Sequence, residues 1–200
     1  MKISQRTDES EMVALFLRSE LKSERWSNAI LKVLGRLSLP TALITEADTT
    51  DTAANAQRAR ILGVFRGYRE NRELFRAYPD GVVWHRVVLD GDDFQRLMYI
   101  DYSYWNELTG GSRRPLDAVP TILSGREVFG VSNQPAIDGA RLIRSGTAFE
   151  PIILVASDPE SDLVILEGHG RATAYALAGR DAYQRIPALL GLAPGFASWL

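Results

Sequence analysis

Leu163-Val164-Ile165-Leu166-Glu167-Gly168-His169-Gly170-Arg171-Ala172-Thr173-Ala174-Tyr175-Ala176-Leu177 is the stretch on which the fold turns. Its opening apolar run has the character of a strand buried on both faces, and the segment from Ala172 to Leu177 is mostly good helix formers. A strand that passes directly into a helix makes a junction with a particular electrostatic character. The first amides of a helix lack intrahelical acceptors and carry the positive end of its macrodipole, so a phosphate placed there meets aligned N–H donors. Gly168 and Gly170 remove side chains that would block the approach, His169 and Arg171 add donors, and Glu167 adds a carboxylate.

Working outward, residues 151–156 form a second apolar run, and Asp158-Pro159-Glu160-Ser161-Asp162 is a turn between the two. Gly179 is placed to end the helix, and residues 186–190 read as the next strand. Upstream, 137–145 has helical spacing and 127–131 reads as extended. The region is therefore a compact mixed α/β unit. Before it, Pro79-Asp80-Gly81 makes a turn ahead of the β-branched and aromatic run 82–89, in which His85 alternates with Val and Trp as a structural strand residue. Residues 90–93 end that strand as a turn, or Asp92 caps a short helix through Leu97. The aromatics Tyr99, Tyr102, Tyr104 and Trp105 form core or a stacking platform for a base. Ser112-Arg113-Arg114 is a solvated loop or a second phosphate contact.

The first part of the chain is helical. Met12, Leu15, Phe16, Trp26, Ile30, Val33, Leu34 and Leu37 recur at three- and four-residue steps as one face of a helix across 11–37, which Pro40 stops. Residues 41–45 read as a short strand. Asp48-Thr49-Thr50-Asp51-Thr52 offers caps for a second helix to about Tyr68, lined by Ile61, Leu62 and Phe65, and 69–76 reads as a further short helix. The chain is thus expected to be α/β (α+β), with a helical region over 1–78 and a mixed region over 79–200.

The chain's 200 residues suffice for one large domain or a domain with a helical extension, and 46% hydrophobic with 24% charged residues is ordinary for a globular protein. With 23 Lys plus Arg against 25 Asp plus Glu, the net charge is −2, and the arginines are spread among acids rather than gathered in a basic stripe. Nucleic acid is thereby an unlikely partner, because binding it draws on a local excess of cations. The absence of cysteine excludes disulfides, thiolate metal sites and cysteine nucleophiles, and the only histidines are His85 and His169. Residues 1–25 lack the apolar core of a secretory leader, and no apolar run approaches the ~18 residues that span a bilayer. A cytoplasmic protein without a membrane partner is expected. No Gly-x-x-x-x-Gly-Lys-Ser/Thr loop, Gly-x-Ser-x-Gly elbow or His-Glu-x-x-His motif competes with the junction.

The segment 128–190 resembles the ParB/sulfiredoxin fold, in which a strand ending in a short Gly-x-x-Arg motif feeds a helix and forms a nucleotide-phosphate site. Gly168-His169-Gly170-Arg171 matches the motif; Ser132-Asn133-Gln134-Pro135 is similar to the family's Gln-Pro element, and Arg141 to Gly146 with Pro151-Ile152-Ile153 to its helix, turn and second strand. The sulfiredoxin branch uses a motif cysteine that is missing here. The ParB branch carries a basic residue where Gly170 stands, an Arg where Ala136 stands, and a DNA-binding helical domain downstream. The acidic-Gly-His-x-Arg pattern of Glu167 to Arg171 is most similar to the branch that phosphorylates free serine.

That resemblance implies a nucleotide-dependent phosphotransferase acting on a hydroxyl of a small molecule such as an amino acid, with ATP or ADP as donor, CTP as the other nucleotide the superfamily uses, and Mg²⁺. It implies that Gly168, His169, Gly170, Arg171 and Ala172 hold the nucleotide phosphates, that His169 contacts the transferring group, that Glu167 holds Mg²⁺, and that Glu127 takes the acceptor's proton. The alternative is a non-catalytic nucleotide-binding switch or partner-binding module. Structural roles stand beside each of these: His169 as a helix cap, Arg171 paired with a carboxylate, Glu167 bonded to neighbouring amides, Glu127 solvated. A homodimer is open as well, since an amphipathic N-terminal helix packs equally on its own domain or on a twin.

Overall fold

Apolar runs that cannot face water on either side are forced to pair with one another, and here they build the centre of a sheet. The structure is a computed structural model that describes every residue from Met1 to Leu200. The chain divides into a helical unit, Thr7–Trp84, and a mixed unit, Met1–Arg6 with His85–Leu200. In order, the elements are β1 (Lys2–Thr7), α1 (Glu9–Leu21), α2 (Ser27–Leu37), α3 (Ala42–Thr45), α4 (Thr52–Arg66), β2 (Val83–Leu89), α5 (Gly91–Gln95), β3 (Leu97–Met98) and α6 (Ser103–Leu108). There follow α7 (Pro115–Leu123), α8 (Gln134–Arg144), β4 (Ile152–Ala156), β5 (Leu163–Glu167), α9 (His169–Ala178) and β6 (Ile186–Leu192). The fold is mixed α/β, with a six-stranded sheet in the order β1-β2-β6-β4-β5-β3. No helix is long and apolar enough to cross a membrane.

In the mixed unit, β4 is buried at every residue. It runs parallel to β6, with Ile152 opposite Ala188, and antiparallel to β5, with Val155 opposite Val164. Ile152, Leu154, Leu163 and Ile165 join Ala172, Tyr175 and Ala176 of α9 in one apolar cluster, which seats that helix on the sheet. Burying one such aliphatic side chain stabilises by about 1.5–3 kcal/mol, so these strands are fixed by burial. Edge strand β1 is exposed almost throughout and is held by polar contacts instead. Ser4 Oγ donates to the Arg86 carbonyl at 2.9 Å, and the Met1 ammonium pairs with Asp90 at 3.0 Å and Asp93 at 2.7 Å.

Two features of the packing fix the position of α9. Near the end of β5, Ile153 lies opposite Glu167 while Leu154 lies opposite Ile165, so β5 carries an extra residue there. Such a bulge re-aims the end of its strand. On the other side, α8 approaches α9 so closely that a Cβ at Gly139 would stand 2.9 Å from that of Ala174. Arg144 donates to the carbonyls of Leu177 and, at 3.2 Å, Ala178, satisfying the far end of α9. Residue numbers rise together along these contacts, so α8 and α9 run in the same sense. Their N-termini, at Gln134 and His169, share one end.

The helical unit packs α1, α2 and α4 against one another, with an aromatic group in which the Phe75 ring lies 5.9 Å from Phe16 and 5.1 Å from Tyr68. The single helical face expected across 11–37 is broken in two. No apolar residue stands between Leu21 and Trp26, and the Ser23 carbonyl accepts the Trp26 and Ser27 amides at 3.1 and 2.9 Å, starting a new helix. Residues expected as a strand, 41–45, form α3 instead; Pro40 starts the turn, and Arg58, buried, draws in the Leu43 carbonyl at 3.1 Å. The helix expected over 69–76 is only a 3-10 turn at Glu73–Phe75. Arg69, Asn71 and Glu73 have positive φ, and Arg72 reaches back to the Gly63 and Val64 carbonyls at 2.8 and 3.2 Å, so the segment folds over the end of α4.

The mixed unit carries corrections of the same kind. Asp90, rather than Asp92, caps α5: its Oδ1 accepts the Asp92 and Asp93 amides at 3.0 Å, and Asp93 Oδ2 accepts the Asp90 amide at 3.0 Å. Residues 127–131, expected to be extended, contain a 3-10 turn at Val128–Gly130, because Val128 drops into the cluster of Leu108, Ala118, Ile122, Ala140 and Leu177. β1, α6 and α7 are elements that periodicity did not reveal.

Candidate functional site

β5 ends at Glu167, Gly168 turns the chain, and α9 begins at His169, three residues earlier than the helix formers alone indicate. Gly168 has φ 99°, and a Cβ there would lie 3.0 Å from Arg171 Nη2 and 3.1 Å from Ile152 Cγ2. Both the left-handed backbone and the crowding select glycine. Gly170 is different. It is exposed, in ordinary helical conformation, and a Cβ there would meet nothing within 4 Å. The first intrahelical bond runs from the Ala172 amide to the Gly168 carbonyl at 2.9 Å, so the helix supplies no acceptor to the amides before it. Gly168, at the N-cap position, has no side chain with which to cap α9, and the first turn contains no acidic residue.

The two charged residues of the motif face each other. Arg171 and Glu167 form an ion pair whose side chains are only 14% and 12% exposed, and Arg171 Nη1 also donates to the Glu150 carbonyl at 3.3 Å. The guanidinium thus ties the bulged end of β5 to the first turn of α9. The two charges of this pair offset one another.

His169 is half buried and rests on aromatic rings from earlier in the chain. The Trp105 indole lies 5.3 Å from the imidazole at 13° and 4.2 Å from the Tyr99 ring at 18°, while Tyr99 and His169 are 5.9 Å apart at 16°. These separations describe a triangle rather than a column: the phenol and imidazole lie side by side, and the indole covers both. Thr173 Oγ1 donates to the His169 carbonyl at 2.8 Å and meets the Tyr99 hydroxyl at 2.7 Å. Since Thr173 has one proton to give, Tyr99 is the donor in the second bond. Burial pushes the Tyr99 hydroxyl far above its ordinary pKa, so it keeps that proton.

The remaining candidates lie elsewhere. Glu127 is exposed at the start of the 3-10 turn leading towards α8, with no hydrogen bond or ion pair joining it to the junction. Ala172 is fully buried beneath the helix and contributes only backbone. His85 sits half buried in β2. Arg113 and Arg114 are neither solvated nor poised for phosphate. Arg113 donates to the carbonyls of Tyr99 at 2.9 Å and Trp199 at 3.0 Å, and Arg114 makes a two-pronged contact with Asp162 at 3.0 and 2.8 Å. Nothing at the junction groups three or more His, Asp or Glu side chains as a metal site.

Of the aromatic stretch, Tyr99 and Trp105 reach the junction, whereas Tyr102 is half exposed to solvent. Sequence reasoning named them as core or platform but did not connect them to His169. The four-residue step from His169 to Thr173 was the one available hint of a supporting hydroxyl. The chain matches no protein-family model, no curated protein and no solved structure.

Proposed function

We propose that this protein is a nucleotide-dependent phosphotransferase acting on a hydroxyl of a small molecule such as an amino acid, in a cytoplasmic setting, and that the β5–α9 junction receives the nucleotide phosphates. One observation carries the proposal: a helix start whose N-cap is a glycine, whose first turn holds no acidic residue, and whose exposed position is a second glycine with open space above it. The resemblance of Gly168-His169-Gly170-Arg171 to the ParB/sulfiredoxin motif adds the nucleotide to the anion.

In this scheme the amides of the first turn take phosphate oxygens, His169 reaches the transferring group, and Arg171 holds the junction rather than the ligand. ATP or ADP supplies the phosphoryl group. Glu127 is the proposed base for the acceptor hydroxyl. It fits in one respect, since its turn leads into α8, whose N-terminus lies at the same end as that of α9. Mg²⁺ is implied by the chemistry, yet Glu167 does not fit it as a ligand while its carboxylate is neutralised by Arg171. That closed pair is also what favours the second possibility, a non-catalytic nucleotide-binding switch.

Incubation with ATP, ADP or CTP, Mg²⁺ and a panel of hydroxyl compounds separates the two. A phosphorylated product supports the transferase, and saturable nucleotide binding without turnover supports the switch. Neither binding nor product, in protein shown to be folded, removes both.

A further inference from the structure

We propose that the outer edge of β1 is a docking site for an extended acidic segment of another protein, which adds to the sheet as a further strand. The proposal is independent of what the β5–α9 junction binds. β1 and β3 are the two ends of the six-stranded sheet. β3 is only two residues long, and directly after it the Tyr99 amide is committed to the Arg113 carbonyl at 2.8 Å. β1 spans six residues, and each of those from Lys2 to Arg6 is exposed. Its neighbour β2 pairs with one side of the strand. On the other side, every second residue directs an N–H and a C=O away from the sheet, and no backbone hydrogen bond from a turn or loop reaches Lys2 to Arg6.

The side chains decide what can occupy that edge. Successive residues of a strand point to opposite faces, so Lys2, Ser4 and Arg6 share one face and Ile3 and Gln5 the other. Ser4 is turned onto the Arg86 carbonyl at 2.9 Å, which leaves Lys2 and Arg6 as the charges, about 13 Å apart along the strand. Neither takes part in an ion pair. β1 and β2 contain no acidic residue, and Asp90 and Asp93, beyond the end of β2, are held by the Met1 ammonium at 3.0 and 2.7 Å. A second copy of the chain is a poor occupant, because two β1 strands paired antiparallel about Ser4 would set Lys2 against Arg6 twice. The same charges attract a strand with carboxylates four residues apart, and Ile3, 50% exposed, offers an apolar contact on the opposite face. Main-chain hydrogen bonds give such a strand its affinity, and the charges give it its sequence preference.

The blocked hexapeptide Glu-Val-Glu-Val-Glu-Val is a suitable probe, because in antiparallel pairing its first and fifth residues meet Arg6 and Lys2. It should bind saturably with a Kd below about 1 mM, and hydrogen exchange followed by NMR should show new protection at alternate amides between Lys2 and Arg6. Two further peptides carry N-methyl groups on odd or on even backbone amides. One of them should lose binding and the other keep it, since only one set of amides faces the edge. The basic peptide Lys-Val-Lys-Val-Lys-Val should bind roughly tenfold more weakly or worse, and the Lys2→Glu/Arg6→Glu double variant should exchange the preference between the two. The absence of saturable binding up to about 1 mM overturns the proposal, as do equal affinities for the acidic and basic peptides in the parent protein. Binding indifferent to both N-methylation patterns overturns it without any protein variant, so misfolding of the double variant does not rescue it. Sedimentation of the parent protein as a dimer, with β1 amides protected before peptide is added, assigns the edge to a second copy and overturns it too.

Discussion

At the start of α4, Asp51 accepts the Ala54 amide at 3.0 Å, and at the start of α1, Asp8 accepts the Glu11 amide at 3.1 Å, with Glu9 and Glu11 adding negative charge to the first turn. At the start of α9 the corresponding position is Gly168, which has no side chain to offer, and the first turn reads His169-Gly170-Arg171. Capping side chains satisfy amides and neutralise the positive end of the helix from within the chain. The contrast teaches that, if the start of α9 receives an anion as proposed, the sequence prepares for it as much by the capping side chain it withholds as by what it supplies. The neighbouring arginine differs from a capping group as well, because Arg171 is turned onto Glu167.

The largest expected effect lies in the difference between the motif's glycines. Gly168→Ala forces a Cβ into a backbone of φ 99° against Arg171 and Ile152, and should cost about 2–4 kcal/mol of stability. Gly170→Ala, in helical conformation with open space, should instead be neutral or stabilise by about 0.5–1 kcal/mol. Denaturant unfolding of both variants measures this directly. Equal stabilities would mean that the tight turn between β5 and α9 is not formed as described.

A smaller effect converts α9 into a helix like α1. Gly170→Glu places an acid in the first turn and should stabilise the helix by about 0.3–1 kcal/mol while abolishing detectable phosphate or nucleotide binding through like-charge repulsion. Calorimetric titration with ADP, run beside thermal unfolding, reads the two consequences separately. Retained affinity in a stabilised variant would show that anions do not use this end of the helix.

How far the sequence discloses these features follows from the range of the forces involved. The run from Leu163 to Leu166, the turn at Gly168 and the helix beyond it are governed by neighbouring residues, so pattern alone places them. The same holds for the strand through Val87 and for the buried strand at Ile152 to Ala156. β1 was invisible because its residues are exposed and do not alternate; its place comes from pairing at the sheet edge and from ion pairs about ninety positions away. The short helix at Ala42–Thr45 depends on Arg58, a residue in a different helix. Within the site, the identities of Glu167, Gly168, His169 and Arg171 were legible, but their engagements were not. The four-residue spacing of Glu167 and Arg171 permits an ion pair across the junction without requiring one, because Gly168 interrupts the helix between them. The packing of Tyr99 and Trp105 against His169 joins segments more than sixty positions apart, which no local pattern encodes.

The smallest effect concerns α5, where capping is most complete and the comparison with α9 is therefore sharpest. Asp90 is held down to about 2, first by the Asp93 amide and then by the Met1 ammonium. A carboxylate with a depressed folded-state pKa stabilises the fold at pH values above its unfolded value, near 3.9, and that contribution fades as the pH falls from there through the folded value. Unfolding free energy should consequently decline between about pH 4 and pH 2, and Asp90→Asn should reduce the part of that slope owed to this group. The change will be modest, since the Asp90 side chain is 52% exposed and its pairing is screened by water. Gly170→Glu gives the complementary case: the new carboxylate, lying at the same kind of helix start, should introduce a similar acid-dependent slope where the natural sequence has none of its own. An unchanged pH profile in that variant would imply that the positive end of α9 is already neutralised from elsewhere, which would remove the electrostatic basis for an anion at the junction.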